Sequence, residues 1–304
     1  MADPLSQVID LLHPRAVFAN VISGCGDWAV RFAAYGRPGF CILLEGGCRL
    51  AVDGHAPLDL AAGDFVLLPT TPAFVLSGGG AARPVLLDPE RLPRDGREVR
   101  YGDTDGAPGM RSLGGAFAFD DADPALLVSL LPAVVHVSGS PRLSQLVEMV
   151  AQETTGGRPG SAAVLSRLAE LLLIEAMRAT SGADAPPGLL KGLGDERLAM
   201  ALQAMHARID HAWTVDELAK AAALSRSGFF ERFSRTVGVA PKEYLLRWRM
   251  RVAQDLLRQG QLGIARIAER VGYGSASAFG TAFRRHMGVS PGRLARDSAT
   301  RSQQ

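Results

Sequence analysis

The sequence predicts an α+β multidomain chain: an N-terminal β-barrel with a helical segment, then an all-α domain in which one helical unit occurs twice around a long helix. Three observations lead to this fold class. Short alternating apolar segments fill the first part of the chain, and the hydrophobic period becomes helical after Pro124. Near the C-terminus, FERFSRTVGVAP at residues 230–241 has a close counterpart in GTAFRRHMGVSP at residues 280–291.

Length and composition fit this organisation. A chain of 304 residues is longer than one ordinary core, and 47% hydrophobic residues is typical of globular proteins. No apolar run approaches the roughly 18 residues needed to cross a bilayer. The N-terminal MADPLSQ lacks the pattern of a secretory signal, and three cysteines form no paired framework. These features predict a cytoplasmic protein.

The predicted strands lie between residues 28 and 68, within an expected barrel domain at residues 1–122. Turn residues separate the strands at Gly46-Gly47, Asp53-Gly54 and Gly63-Asp64. Several short strands at this spacing indicate a barrel or a sandwich. Residues 77–112 are mostly loop-like in composition. The predicted strands are Trp28–Phe32, Phe40–Leu44, Arg49–Val52 and Phe65–Leu68.

Residues 123–180 predict helices in PALLVSLLP, PRLSQLVEMVAQE and SAAVLSRLAELLLIEAMRA. The last helix is apolar on more than one side, so it must be buried more than once. One face can pack on the barrel and the other can meet a second copy of the chain. A helix buried wholly within one chain explains the pattern equally well. Residues 181–193 read as a linker to a domain at residues 194–298, and residues 299–304 as a tail.

Each copy of the repeated unit reads as a short helix, a turn and a second helix that ends at glycine. Thr214 and Glu217 form a capping-box pattern at the start of the first copy. The two phenylalanines of each second helix are spaced i and i+4, so both face the core. Matching landmarks lie 50 residues apart: Ser225, Phe229, Phe233, Gly238 and Pro241 in the first copy, and Ser275, Phe279, Phe283, Gly288 and Pro291 in the second.

A helix, a short turn and a helix with an inward aromatic pair form the helix-turn-helix pattern, whose second helix fits the major groove. The sequence EYLLRWRMRVAQDLLRQ predicts a long helix between the copies. A rigid connecting helix fixes the distance between the two second helices, and DNA repeats its groove about every 34 Å along one face. Two units on one chain can therefore contact two successive groove segments, as the two subunits of a dimer with one unit each would do.

Charge is distributed unevenly along the chain. Residues 194–304 hold 18 Lys and Arg against 10 Asp and Glu, a net charge of +8. Residues 1–193 hold 15 against 21, a net charge of −6. Such asymmetry suggests that the C-terminal part meets a polyanion, although a solvated basic surface would give the same count.

The doubled pattern over residues 195–296 resembles the AraC/XylS family of bacterial transcription regulators. The resemblance implies a DNA-binding domain that reads bases from the outward face of each second helix, and it makes RNA polymerase a further candidate partner. The expected phosphate contacts are Arg235, Lys242, Arg284, Arg285 and Arg293. The expected base-reading residues are Arg226, Ser227, Phe230 and Glu231 in the first copy, and Ala276, Ser277, Gly280 and Thr281 in the second.

The second copy departs from many relatives, which carry long polar or basic side chains at its reading positions. Ala276 and Gly280 have little or no side chain. We therefore expect the second unit to discriminate less between bases and to make more of its contacts with phosphates.

The segments WAV, FCILLEGG and GDFVLLP, over roughly residues 15–90, resemble a cupin-type sensing domain. Metal-binding cupins use a His pair, a Glu and a further His, and here Cys41 and Phe74 stand at such positions while Glu45 is isolated. We expect no metal and no cofactor. An apolar or aromatic effector is expected in the barrel, with Trp28, Cys41 and Phe74 as candidate walls, although each also fits an ordinary core residue.

Three other functions stay open from the sequence. A metal-dependent cupin enzyme fused to a basic nucleic-acid-binding domain would need the missing histidines. A thiol-based redox-sensing regulator would use Cys41 and Cys48, which flank a candidate hairpin turn. A non-specific nucleoid-binding protein would bind all duplexes equally. The leading interpretation is a regulator without catalytic activity that binds DNA and a small effector and has no membrane partner.

Overall fold

In the computed structural model the chain divides into two compact units. One is β-rich and spans Pro14–Thr180. The other is helical and combines the residues before Pro14 with those after Thr180. We call these the barrel unit and the helical unit. The predicted fold class is confirmed. The structure describes residues 3–12, 14–91, 98–103, 105–119, 131–155, 158–180 and 185–301.

The barrel unit is built on a curled sheet in the order β7-β2-β6-β3-β9-β1-β8, with β4, β5 and β10 paired off this path. Most neighbours are antiparallel, but β1 pairs with β8 and β2 with β7 in parallel. The strands are β1 (Pro14–Cys25), β2 (Ala29–Phe32), β3 (Gly39–Val52), β4 (Leu58–Ala61), β5 (Phe65–Leu68), β6 (Phe74–Ser77), β7 (Val85–Leu87), β8 (Val99–Gly102), β9 (Met110–Phe119) and β10 (Val135–Val137).

Strand β3 curls the sheet, because its first half pairs with β5 and β9 and its second half with β4 and β6. The bend includes a β-bulge between Leu43 and Glu45 and a positive φ of 70° at Gly46. A Cβ at Gly46 would lie 1.8 Å from the carbonyl oxygen of Gly109, so only glycine fits there. The turn predicted at Gly46-Gly47 is wrong, since the chain continues as one bent strand.

Two helices of the barrel unit, α2 (Pro141–Thr155) and α3 (Ser161–Ala179), follow the strands. Helix α3 packs on α2 and β1 and buries Leu168, Leu172 and Leu173. The opposite side of α3 leaves Leu171 46% exposed, so the helix is apolar on its buried and its exposed face. The helix expected over residues 124–132 falls almost entirely outside the described residues.

The helical unit holds both copies of the repeated unit. Helices α6 and α7 form the first copy, α9 and α10 form the second, and α8 connects them. None of the helices described in either unit combines the length and the apolar character needed to cross a bilayer. The helices are α1 (Pro4–Leu12), α4 (Leu189–Leu193), α5 (Glu196–Ala207), α6 (Val215–Ala221), α7 (Arg226–Val237), α8 (Pro241–Gln259), α9 (Ile264–Arg270), α10 (Ala276–Met287) and α11 (Pro291–Arg301).

The helix ends follow the local signals of the sequence. Thr214 and Glu217 form the predicted capping box: the Thr214 hydroxyl accepts from the Glu217 amide at 3.2 Å, and the Glu217 carboxylate accepts from the Thr214 amide at 2.8 Å. The second helix of each copy ends at a glycine, Gly238 or Gly288. Both glycines have a left-handed backbone conformation, with φ of 82° and 75°. These local signals fix where the first copy starts and where the second helix of each copy ends.

Two helices of the helical unit lie outside the domain expected at residues 194–298. Helix α1 packs on α5 and α8 and buries Leu5, Val8 and Leu12, so its assignment to the barrel domain at residues 1–122 is wrong. Helix α4 occupies the end of the expected linker and buries Leu189 and Leu190. Both helices form from short apolar segments next to Pro or Gly. The hydrophobic residues of such segments show no clear helical period, so the sequence pattern predicted neither helix.

Replacing Ala223 by glycine should stabilise the first copy. Ala223 follows helix α6 with a φ of 50°, and glycine holds the equivalent place after α9, Gly272, with a φ of 80°. Relief of about 1–2 kcal/mol of left-handed strain outweighs the roughly 0.5–1 kcal/mol entropic cost of glycine. We expect slower amide hydrogen exchange in α6 and α7 of Ala223→Gly.

Gly272→Ala is the matched reverse change. A Cβ at Gly272 would lie 2.5 Å from the carbonyl oxygen of Asp210 and close to the Arg249 guanidinium, so exchange in α9 and α10 should accelerate. Equal effects of the two substitutions would contradict the assignment of strain to Ala223.

Glu217 should make the first copy sensitive to acid. Hydrogen bonds from the Thr214 amide, then from the Thr214 hydroxyl and from His211, lower the pKa of Glu217 to about 2 from 4.5. The carboxylate therefore contributes stability that is complete above pH 4.5 and is lost as the pH falls toward 2.

The comparison of wild type with Glu217→Gln measures this contribution. Urea unfolding between pH 7 and pH 3 should show the wild-type advantage shrinking as the pH falls. An advantage that stays constant over this range would contradict the role of the ionised carboxylate.

Candidate nucleic-acid interface and barrel cavity

Helix α7 separates a buried face from an exposed one. Ser225 caps it by accepting from the Gly228 amide at 3.2 Å. Phe229 and Phe233 are fully buried with their ring centroids 5.4 Å apart. On the opposite side the four expected base-reading residues are exposed: Arg226, Ser227, Phe230 and Glu231. The structure therefore presents this set to solvent as one outward surface, which we call the first reading face.

Two contacts hold α7 in the helical unit. Asp195 caps α5 and accepts from the Arg232 guanidinium of α7 at 2.7 Å. Burial acts to raise the pKa of Asp195, but Arg232 and two backbone amides outweigh it, so the net effect lowers the pKa. The Tyr244 ring of α8 packs edge-on against Phe233 at 5.8 Å. Neither Asp195 nor Arg232 was singled out from the sequence, because their pairing is distant along the chain.

Arg226 is the first residue of the first reading face, and only a weak ion pair holds its side chain. Its guanidinium lies 3.8 Å from Asp216 of α6, and the two side chains are 71% and 58% exposed. An exposed ion pair of this kind contributes about 0–1 kcal/mol, so a stronger acceptor can take over the guanidinium.

Helix α10 repeats the arrangement with a smaller outward surface. Ser275 accepts from the Ala278 amide at 3.1 Å, and Phe279 and Phe283 are fully buried. The second reading face consists of Ala276, Ser277 and Thr281, which are exposed, and Gly280, which is partly exposed. The position of a Cβ on Gly280 is open space, so the helix backbone can approach another surface closely there.

The five expected phosphate contacts are all exposed. Arg293 lies 3.8 Å from Asp297 in a loose ion pair. The other four form no ion pair with any residue that the structure describes: Arg235, Lys242, Arg284 and Arg285. Their charges are therefore available to an external anion.

The connecting helix α8 belongs to the cores of both copies. Its first half buries Tyr244 and Trp248, and its second half buries Met250, Ala253 and Leu257 in the core of the second copy. Between these two stretches, Arg249 donates to the carbonyl oxygens of Ile209 and His211 at 2.8 Å each. Burial lowers the pKa of Arg249, and its hydrogen bonds make it a structural residue.

The barrel unit contains an apolar cavity of about 80 Å³. Cys41 and Phe74, two of the three expected walls, line it together with Phe32, Phe40 and Ala116. Trp28, the third expected wall, is buried elsewhere in the same core. Its indole lies where a side chain on Gly24 or Gly78 would stand, and it stacks on Tyr101 at 6.4 Å.

The cysteines sit in surroundings that disfavour their reactive form. Desolvation raises the pKa of the Cys41 thiol to about 11 and that of Cys48 to about 12. Both lie along the bent strand β3 and do not flank a hairpin turn, contrary to the sequence expectation. Across the described ranges of the chain, no three His, Cys, Asp or Glu side chains group as metal ligands would.

Comparison with known proteins gives two domain matches. A family model described as cupin matches residues 3–181, and one described as helix-turn-helix domain matches residues 218–297.

Several relatives match the chain along most of their length. Proteins of Streptomyces antibioticus and Streptomyces lividans, both named as AraC-like transcription regulators, are 39% and 38% identical to the chain, and each match covers 95% of the chain and 97% of the relative. The HTH-type transcriptional regulator AlkR of Acinetobacter baylyi is 30% identical, with the same coverage.

Proposed function

The chain belongs to the family of AraC-like transcription regulators with an N-terminal cupin domain, and we propose that it reads duplex DNA through the two reading faces and responds to a small apolar effector in the barrel cavity. The observation that carries the DNA-reading proposal is the repeated burial of a phenylalanine pair, which turns the opposite side of each second helix outward.

The first reading face has the chemistry for base recognition. The Arg226 guanidinium can donate two hydrogen bonds to guanine, and the Glu231 carboxylate can accept from the cytosine amino group. Phe230, which is 47% exposed, offers apolar surface to a thymine methyl group. An exposed phenylalanine in a cluster of polar residues is costly in water, and contact with a base would remove that cost.

The second reading face suits backbone contact more than base reading. Its small side chains let the helix approach the groove, while Arg284 and Arg285 near the end of the same helix can neutralise phosphates. We therefore propose that the first copy supplies most of the sequence specificity and the second copy supplies mostly affinity.

Helix α8 sets the spacing of the two copies. Its 19 residues span about 28 Å at 1.5 Å per residue, and both of its ends are anchored in buried cores. This length is compatible with neighbouring major-groove segments on one face of DNA, which recur about every 34 Å.

The cavity supports the proposed effector site because its described walls are mostly apolar and aromatic. The raised pKa values of Cys41 and Cys48 favour a bound effector over thiol oxidation as the signal, since the thiolate is the reactive form. Effector binding would shift the population between states of different DNA affinity.

We propose a regulator without catalytic activity that works in the cytoplasm, as expected for a protein with named relatives that regulate transcription. The exposed apolar surface of α2 and α3, with Met149, Val164 and Leu171, supports a homodimer contact. RNA polymerase is the further partner that regulation of this kind requires.

Two arginine substitutions test the division between reading and anchoring. Arg226→Ala should relax preference at one or two base pairs at a cost of about 1–3 kcal/mol, because a base contact is lost. Arg284→Ala should weaken binding to all sequences alike and reduce the slope of affinity against salt by about one, because one phosphate contact is lost. Titration of an operator and of its point variants at several salt concentrations measures both effects.

The operator sequence is identified first, by sequencing the DNA fragments that the protein binds in cells. Arg49→Ala, which removes an exposed arginine from the barrel unit, is the charge-matched control and should leave both properties unchanged. Identical behaviour of Arg226→Ala and Arg284→Ala would contradict the proposed division of labour.

Filling the barrel cavity should prevent small apolar molecules from entering it. Benzene is a suitable probe because dry apolar cavities take it up. It should raise the thermal midpoint of the wild-type chain, and the shift should vanish in Ala116→Leu, since Ala116 lines the cavity. The exposed residue Ala81 provides the control Ala81→Leu, and an equal benzene shift in both variants would contradict the assignment of the cavity.

A further inference from the structure

The two reading faces differ most at one pair of positions. Arg226 and Phe230 of α7 lie 50 residues before Ala276 and Gly280 of α10, which hold the equivalent places in the second copy. The first pair combines a guanidinium with an aromatic ring, whereas the second pair offers one methyl group and no further side chain. A recognition property that depends on Arg226 and Phe230 together therefore belongs to the first copy alone.

Helix geometry places the side chains of Arg226 and Phe230 next to each other. They are four residues apart on α7, so their Cβ atoms lie about 5–6 Å apart on one side of the helix. Helical side chains point toward the N-terminus, so the Phe230 ring lies over the turn that begins with Arg226. Successive bases of one DNA strand are about 3.4 Å apart along the helix axis. The two side chains can therefore reach neighbouring base pairs.

The Phe230 ring is available for a contact outside the protein. It is 47% exposed, whereas Phe229 and Phe233 of the same helix are fully buried. Among the phenylalanines whose burial the structure describes, it is the only exposed one. Its other neighbours on the first reading face, Ser227 and Glu231, are polar. The ring is therefore suited to a small apolar group that lies within a polar surface.

The C5-methyl group of a pyrimidine is such an apolar group. Thymine presents this methyl in the major groove, and cytosine carries a hydrogen at the same place. 5-Methylcytosine has the methyl group of thymine at the same ring position and keeps the base pairing of cytosine. A ring that contacts the methyl group therefore favours thymine and 5-methylcytosine over unmethylated cytosine.

Building on the proposed DNA-reading function, we propose that Arg226 and Phe230 together recognise a guanine next to a pyrimidine that carries a C5-methyl group, either thymine or 5-methylcytosine. The Arg226 guanidinium donates to guanine O6 and N7. Its release from Asp216 costs little, because both side chains are exposed. The Phe230 ring packs on the methyl group of the neighbouring base pair. Where that pyrimidine is cytosine, methylation of the DNA strengthens binding.

Four operator duplexes that differ in one base measure the methyl contact. The guanine is the base for which Arg226→Ala relaxes the preference, and the position on each side of it carries thymine, deoxyuridine, 5-methylcytosine or cytosine in turn. Thymine and deoxyuridine differ by one methyl group, as do 5-methylcytosine and cytosine. On one side of the guanine, the methylated member of each pair should bind the wild-type chain about threefold to fivefold more tightly, as expected for burial of one methyl group.

Phe230→Ala should bind both members of each pair equally, because the ring that contacts the methyl group is missing. Met200→Ala is the matched control: it removes a 54% exposed apolar side chain of α5 and should keep the full preference. The same base changes one helical turn away, in the segment contacted by the second copy, should have no effect. Ala276 and Gly280 offer no ring there.

Failure of the methyl contact is distinguishable from failure of the proposed DNA reading. If the wild-type chain does not prefer its operator, or if Arg226→Ala relaxes no base preference, the reading function fails and the methyl contact fails with it. If the operator is preferred and Arg226 reads a guanine, equal affinity with and without the methyl group overturns the methyl contact alone. Retention of the wild-type methyl preference by Phe230→Ala also overturns it.

Discussion

The burial of two phenylalanine pairs is the constraint on which the proposed DNA-facing surface depends. Phe229 with Phe233, and Phe279 with Phe283, are fully buried one helical turn apart. Because α-helical side chains at i and i+4 share a face, fixing these rings inward fixes the rotation of each helix about its axis. The reading faces are exposed as a consequence, and their residues can vary in chemistry without changing the fold.

Helix α8 joins the two small units, which we propose act as one DNA reader. Neither copy has a large core of its own, and α8 contributes buried side chains to both. Arg249 adds hydrogen bonds to the loop before α6, so the middle of the rod is anchored as well as its ends. A change in the packing of either core therefore affects α8. Helix α1 packs on the same helix.

The sequence predicted the helical unit in more detail than the barrel unit, for physical reasons. Caps such as Ser225 and Gly238 and the i, i+4 phenylalanines are local signals, so the spacing along the chain was enough to locate α7 and α10. Strand β3 depends on a distant contact, because only the approach of Gly109 shows that Gly46 bends a continuous strand. The pairing of Asp195 with Arg232 and the docking of α1 likewise join residues far apart in sequence, which periodicity cannot reveal.

We propose that both reading helices bind neighbouring turns of the same duplex at a distance fixed by α8. The most direct measurement is affinity for an operator in which five base pairs, half a helical turn, are inserted between the two contacted segments. We expect affinity to fall at least about tenfold, since the second helix would face the wrong side of the duplex. Unchanged affinity would contradict a rigid two-headed reader.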